Sequence, residues 1–216
     1  MLTENPRSIF SERKKWAELL FETFKVPSMC VGNTAPLSLF ASGRTTGVVV
    51  ECGAGLTSTV PVFEGLALTH ASITTEYGGQ DISLNLKNTL LGRNIQIDLF
   101  DSRILKERMC FVASTPVVSH HLSNSNSPED SRVMSLPDGT EVKIENSIFS
   151  SCVEPLCSGR DLDNPARTIS SWGLVEQTFQ TIKLCDDSAR RDLCQNVILS
   201  GGTSMLPGQM KFNTSC

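Results

Sequence analysis

Residues 45–63 read TTGVVVECGAGLTSTVPVF and predict two β-strands joined by a tight glycine turn. The stretches Thr45–Glu51 and Leu56–Phe63 are rich in β-branched residues, which favour strands. Between them lies Cys52–Gly55, whose glycines permit a sharp reversal of the chain. Successive backbone N–H groups in such a turn can form a concave nest for phosphate oxygens. A glycine hairpin tip is more often only a turn, so this motif alone does not establish a phosphate site.

Helices and further strands surround this hairpin in the sequence. A helix is predicted to begin at Ser11 and to end before Pro27, because its apolar residues recur with helical spacing. A polar, turn-forming segment over Ser119–Ser135 predicts a mobile loop. The remaining predicted elements are helices over Ala35–Ala41, from a cap at Asp81, over Ser102–Val112, from Ser170 or Ser171 to Leu184 and over Ser188–Leu193, with strands over Thr140–Ile144 and Asn196–Leu199. Helices and strands intermingle, so the class is α/β or α+β.

Composition excludes several classes of protein. The chain has 216 residues with 39% apolar and 19% charged, which is typical of a globular protein with one large domain or two small ones. Its 19 basic and 23 acidic residues give a net charge of −4, which argues against nucleic-acid or anionic-membrane partners. The first ten residues contain Glu4 and Pro6 where a secretory signal needs an apolar core. The eight scattered cysteines are expected to be reduced and mostly buried, and we expect an intracellular protein.

A second glycine turn, Ser200–Thr203, follows the predicted strand Asn196–Leu199 and could let a nucleotide approach the backbone closely. On its own, this turn is as weak an indication of a phosphate site as the first turn. The pair His120–His121 has no cysteine or carboxylate at ligand spacing, so no metal site is predicted. No Ser-His-Asp or Cys-His nucleophile is evident, and no catalytic residue is assigned.

Taken in order, several segments resemble actin and the actin-related proteins. The similarity runs from about Thr3 to Gly208. The matching segments are 20–24 (LFETF), 37–47 (LSLFASGRTTG), 59–68 (TVPVFEGLAL), 79–81 (GQD), 136–139 (LPDG) and 199–208 (LSGGTSMLPG). The resemblance implies the ribonuclease H-like α/β fold that actin shares with heat-shock chaperones and sugar kinases, mainly its second, larger-domain half. It implies an α/β subdomain over 1–72 and 171–216, with a helical subdomain inserted over 73–170 that carries the polar loop 119–135.

The same resemblance implies a nucleotide cleft that is only partly kept. In the family, two phosphate-binding hairpins clamp ATP, and this sequence begins after the position of the first. The positions that match the second hairpin and the adenine and ribose side of the cleft are Gly53, Gly55, Leu56, Gly79, Arg103, Lys106, Glu107, Gly201, Gly202, Thr203 and Met205. Arg103 and Glu107 are equally well explained as a surface pair four residues apart, and the glycines as backbone requirements.

Four positions depart from the family where its chemistry takes place. Glu51 stands at a metal-organising Asp, and Ala54 replaces a second Asp. Thr34 stands at the Gln that positions the attacking water, and Ser58 replaces a nearby His. ATP hydrolysis needs a metal to neutralise charge and an oriented nucleophile. We therefore expect no enzyme activity, no certain cofactor and, for ATP, weakened binding.

The resemblance implies a cytoskeletal, structural or protein-interaction role, with other proteins as partners, actin or cytoskeletal components among them. The expected location is the cytoplasm and its cytoskeleton, with the nucleus as an alternative. The polar segment Cys157–Pro165 replaces the family's apolar plug, which argues against ordinary co-polymerisation with actin. Two other hypotheses stay open: an ATPase that completes its cleft with a partner, and a shortened isoform that folds only with a partner.

Overall fold

The computed structural model describes residues 1–5, 8, 10–113, 131–135, 139, 141–159 and 172–209, which form a mixed α/β structure. The strands are β1 (Leu2–Glu4), β2 (Val31–Asn33), β3 (Gly47–Cys52), β4 (Thr57–Phe63), β5 (Leu66–Ala67), β6 (Ile73–Thr75), β7 (Ser131–Ser135), β8 (Glu141–Glu145) and β9 (Val197–Ser200). The α-helices are α1 (Phe10–Glu18), α2 (Thr34–Ala41), α3 (Gly79–Leu91), α4 (Leu99–Met109), α5 (Asn146–Ser151), α6 (Glu154–Ser158), α7 (Leu174–Lys183) and α8 (Asp187–Cys194). The predicted class is confirmed.

The chain divides into two compact units. The first contains Met1–Glu51, Ser58–Thr74 and Thr178–Ser200. The second contains the described residues within Cys52–Thr57, Thr75–Gln177 and Gly201–Cys216. The β3–β4 turn and the segment after β9 therefore group with residues 75–177, whereas the sequence-based division grouped them with residues 1–72. That division of the protein into subdomains stays a prediction.

The first unit is built on a sheet with the strand order β5–β4–β3–β9, and β6 also pairs with β4. Strands β3 and β9 are parallel, with Val48 opposite Val197 and Glu51 opposite Ser200. Helix α2 packs beside this sheet after Asn33, whose side chain accepts a hydrogen bond from the Ala35 N–H at 3.1 Å. The core that results has five fully buried residues: Ala35, Leu39, Val49, Val60 and Val62. The predicted hairpin and the helix after it are thus present.

Helix α1 has no buried residue, although its apolar residues recur with helical spacing. It continues into a π-helical segment, Leu19–Thr23. Its large apolar side chains are substantially exposed, from 40% for Leu19 to 78% for Phe10, except Leu20, which is partly buried. Helical spacing was therefore a correct guide to secondary structure here, but not to burial.

The second unit has its own apolar core. Helix α3 contributes Ile82, Leu86 and Leu90, which lie one turn apart and are fully buried, and α4 contributes Leu105. Cysteines join the same core, and burial raises the pKa of Cys157 to about 12. Among the described cysteines, Cys30 and Cys194 are exposed and the rest are buried, and all are free thiols.

Three local predictions need correction. Asp81 does not begin α3: it is the third residue of the helix, and its carboxylate accepts a hydrogen bond from the Gly78 N–H at 2.8 Å. Helix α4 begins earlier than predicted, because Asp98 caps it through the Asp101 N–H. Residues 131–135, predicted as part of a loop, form β7, which pairs antiparallel with β8.

Some predicted features lie outside the described residues. These are residues 119–130 of the polar loop with His120–His121, most of the turn at 136–139, residues 160–165 of the plug replacement and the helix start at Ser170 or Ser171. Within the described residues, no helix has the length and apolar character needed to cross a membrane.

Candidate functional site

The β3–β4 turn is fixed by hydrogen bonds within the second unit. Its Gly53 N–H donates to the Leu56 carbonyl at 3.0 Å, which closes the turn. The Gly53 carbonyl accepts from the Gly79 N–H at 2.9 Å and from the Thr203 hydroxyl at 2.8 Å. A Cβ on Gly78 would lie 2.5 Å from the Ala54 carbonyl oxygen, so only glycine permits this close approach. These bonds explain why the turn groups with the second unit.

The same turn satisfies the first turn of α3. The N–H of Gln80 donates to the Ala54 carbonyl at 2.7 Å, beside the bond from Gly79 to Gly53. The N–H of Gly78 donates to the Asp81 carboxylate. A helix N-terminus attracts anions because its first N–H groups lack partners. Here three of those groups already have acceptors within the protein.

Beside this turn, the second unit contains a cavity of about 820 Å³, which we call the Lys106 cavity. This volume falls within the range of small-molecule sites, about 300 to 1,000 Å³. Its lining residues are Ala54, Gln80, Ser83, Leu99, Phe100, Arg103, Lys106, Glu107, Gly202, Thr203, Met205 and Leu206. Another cavity of the second unit, beside Thr57 and Tyr77, measures about 10 Å³ and has room for one water at most.

Lys106 is the buried cation of this cavity, with only 8% of its surface exposed. Its ammonium donates to the Gly79 carbonyl at 2.9 Å. Burial lowers the pKa of Lys106; Glu107 opposes this shift, and Arg103 adds to it. A Cβ on Gly79 would lie 3.0 Å from the Lys106 ammonium and would overlap the Thr203 hydroxyl, so a larger residue would displace these two side chains. A lysine held in this way presents its other donors to a ligand of the cavity.

Arg103 and Glu107 form an ion pair on the outer part of the same wall, with Nε and Oε1 3.0 Å apart. Their side chains are 68% and 55% exposed, and they lie four residues apart on α4. This is the surface pair that the sequence offered as the alternative to a role in the nucleotide cleft. Because both side chains are exposed, this pair holds the guanidinium only weakly.

Six of the predicted site residues line the Lys106 cavity together: Arg103, Lys106, Glu107, Gly202, Thr203 and Met205. The others are outside its lining. Gly53 and Gly79 hold its framework through the bonds above, Gly55 and Leu56 lie at the exposed turn, and Gly201 adopts φ +91° against the Cys52 carbonyl. Whether any of them binds a nucleotide stays a prediction.

Sequence reasoning missed two apolar residues of the cavity, Leu99 and Phe100. Both lie in the first turn of α4, ahead of the predicted start at Ser102. The signal that could have found them is Asp98 followed by Asp101, a pair typical of a helix N-terminus. Gln80 and Ser83 were also missed, as the α3 residues that complete the lining.

The first unit contains a separate polar group, the Glu51 cluster, made of Asn5, Thr34, Glu51 and Ser58. The Thr34 hydroxyl donates to Glu51 Oε2 at 2.7 Å, and the Ser58 hydroxyl reaches the same oxygen at 3.5 Å. Asn5 in turn donates to the Ser58 oxygen at 3.3 Å. The hydroxyls that replace the family's Gln and His are therefore partners of the carboxylate.

The Glu51 cluster offers a single carboxylate to a metal ion. Mg²⁺ in nucleotide sites is held by one or two carboxylates with water and phosphate oxygens. Glu51 is the one carboxylate of the cluster, and one of its oxygens is occupied by two hydroxyls. Across the described part of the chain, no three His, Cys, Asp or Glu side chains are grouped so as to hold a metal ion.

Two comparisons show which known proteins the chain is similar to. The family model described as Actin matches residues 1–100 and 102–211. Actin-like protein 7A of Mus musculus is 34% identical over 211 residues, which cover 96% of this chain and 46% of that protein. The chain thus spans about half the length of this curated relative.

Proposed function

The chain belongs to the actin family, and from that premise we propose that it is a cytoskeletal or protein-interaction component that does not hydrolyse ATP. The observation that carries the proposal is the Glu51 cluster. Its carboxylate is hydrogen-bonded to Thr34, and the neighbouring turn has Ala54 in place of a second carboxylate. Phosphoryl transfer depends on a metal that neutralises charge and on an oriented nucleophile. These side chains support the proposal because they offer a metal one carboxylate and include no glutamine or histidine to orient the nucleophile.

Protein partners are supported by the surface of the first unit. Phe10, Trp16, Phe21 and Phe24 are all at least 45% exposed within a short stretch of chain. Large exposed aromatic side chains grouped in this way are typical of protein-interaction sites. Membership of the actin family favours actin or another cytoskeletal protein as the partner, in the cytoplasm, with the nucleus as an alternative location.

Two measurements test this proposal. The first is phosphate release from Mg-ATP by the purified chain, which we expect to equal that of a buffer blank. Turnover that disappears in Glu51→Ala would overturn the non-hydrolysing role, whereas turnover that survives this change comes from a contaminant. The second is co-sedimentation with actin filaments, compared with Phe24→Ser. Weaker pelleting of the variant would support this surface as the contact, and equal pelleting would argue against it.

A second candidate is an ATPase that completes its cleft with a partner protein. It is favoured by the Lys106 cavity, whose volume and buried cation suit a nucleotide-sized ligand. Phosphate release in the presence of purified actin separates the two candidates. Release that requires both proteins and is abolished by Glu51→Ala would favour the ATPase, and background release would favour the non-hydrolysing role.

A further inference from the structure

Helix α1 and the π-helical segment after it carry an exposed apolar surface, which we call the α1 face and which consists of Trp16, Leu19 and Phe24. We propose that a second copy of this chain docks on the α1 face, so that two copies pair through antiparallel helices about a two-fold axis. The proposal goes beyond the proposed function, because it names the chain itself as an occupant of this surface.

The α1 face lacks the packing that normally stabilises a helix. Leu19 and Phe24 follow Trp16 by three and eight residues, a spacing that places all three on one side of the helix. No residue of α1 or of the π-helical segment is buried. Most of the stability of protein helices comes from packing of an apolar face, so a helix exposed in this way gains stability from a partner.

The area of the α1 face is sufficient for a weak but specific interface. With about 150 to 250 Å² for each fully exposed side chain, the exposed fractions of the three residues amount to roughly 300 Å² on one copy. Two copies would bury roughly 600 Å² of apolar surface, and apolar atoms make up about 60% of an interface. The total of about 1,000 Å² is the lower bound for specific interfaces, so we expect a dissociation constant of about 10 to 100 μM.

The charges along the same stretch show how a second copy is oriented. Arg13 forms an ion pair with Glu4, and Lys14 Nζ lies 3.8 Å from Glu18 Oε1. The other charged residues from position 12 to position 25 have no ion-pair partner within the described part of the chain, and in order they are Glu12, Lys15, Glu22 and Lys25. Their signs alternate, beginning with a negative charge.

This order of charges is complementary to itself when the chain direction is reversed. Glu12 and Lys25 lie equally far from the midpoint of the stretch, and so do Lys15 and Glu22. An antiparallel pair about that midpoint therefore places each of the four level with an opposite charge of the other copy. A parallel pair would place each level with its own like charge, which is unfavourable. The charges thus favour an antiparallel pair of identical helices.

Sedimentation velocity of the full chain measures this association directly. From about 1 to 200 μM, we expect the chain to change from monomer to dimer. Trp16→Ser, at the centre of the interface, should weaken dimerisation by about tenfold or more. A chain that stays monomeric throughout, or assemblies that grow beyond the dimer, would overturn the proposal.

Charge reversals test the antiparallel arrangement. Lys15→Glu and Glu22→Lys each replace two contacts between opposite charges by contacts between like charges, because the two-fold axis repeats every contact. Either variant alone should dimerise about fivefold to thirtyfold more weakly than the wild type. An equimolar mixture of the two variants should regain the wild-type association, since each copy then supplies the charge that the other needs. A mixture that associates no better than the single variants would contradict the antiparallel pairing.

Lys14→Glu is the matched control for these variants. In the proposed pairing Lys14 lies level with Thr23, which is uncharged, so this reversal should change the association by less than about twofold. A loss equal to that of Lys15→Glu would show that net charge governs association, against the proposal. All of these positions are exposed, so the variants should unfold at the same urea concentration as the wild type.

The outcomes separate this proposal from the proposed function. A chain that is monomeric but pellets with actin filaments would overturn the pairing of two copies and leave the proposed function standing. A chain that dimerises but does not pellet with actin would support the pairing and argue against actin as the partner.

Discussion

The Glu51 cluster and the Lys106 cavity use their polar groups in opposite ways. In the cluster, the hydroxyls of Thr34 and Ser58 both point at one carboxylate oxygen, so the side chains satisfy one another. In the cavity, a buried lysine and exposed apolar side chains line an open volume of about 820 Å³. The polar groups of the cluster are therefore bonded to one another, whereas the side chains of the cavity surround an open volume.

The largest expected effect concerns the backbone that frames the cavity. Gly201 has φ +91° and ψ 156°, a conformation restricted to glycine, and a Cβ there would overlap the Cys52 carbonyl. Gly201→Ala should destabilise the protein by about 3 kcal/mol or more, as measured by urea denaturation. The matched control is Gly202→Ala, since a Cβ on Gly202 has no neighbour within 4 Å. A similar loss of stability in Gly201→Ala and Gly202→Ala would show that a side chain at position 201 causes no particular strain.

The next effect concerns the Glu51 cluster. Thr34→Val keeps the shape of the side chain but removes the donor to Glu51, which leaves a partly buried carboxylate with the longer Ser58 contact. We expect a loss of about 1 to 2 kcal/mol in the free energy of unfolding. Thr34→Ser keeps the hydroxyl, so this variant should retain most of the wild-type stability. If the valine variant were as stable as the serine variant, the cluster would not be held by this bond.

These two regions also show what the sequence could predict. The β-branched runs on either side of Cys52–Gly55 predicted β3 and β4 correctly, because strand preference and glycine turns are local properties. The Thr34–Glu51 bond joins residues 17 positions apart, and no local pattern indicates it. The burial of Lys106 was missed for a similar reason, since it depends on Gly79, 27 residues away. The lining residue Phe100 was missed because the start of α4 was placed three residues too late.

A smaller effect concerns the charge of Lys106. Because the pKa of Lys106 is lowered in the folded protein from its ordinary 10.5, the folded state disfavours the charged form. Stability should therefore rise as pH increases through the interval between the lowered pKa and 10.5, where the folded protein loses its proton before the unfolded chain does. Lys106→Met should lack this rise, although it also loses the bond to Gly79. Urea denaturation of both proteins at several pH values measures the difference, and parallel pH profiles would contradict it.

The smallest effect concerns the ion pair at the outer wall of the cavity. Arg103 and Glu107 are more than half exposed, so solvent screens their attraction, and pairs four residues apart on a helix contribute about 0.3 to 0.5 kcal/mol. A double-mutant cycle with Arg103→Ala and Glu107→Ala should give a coupling energy of this size that decreases in high salt. The exposed pair Lys14–Glu18 on α1, with the same spacing, is the control from the other unit. A coupling several times larger at Arg103 and Glu107 would mean that the cavity shields this pair from water, and that its wall is more enclosed than the exposed fractions indicate.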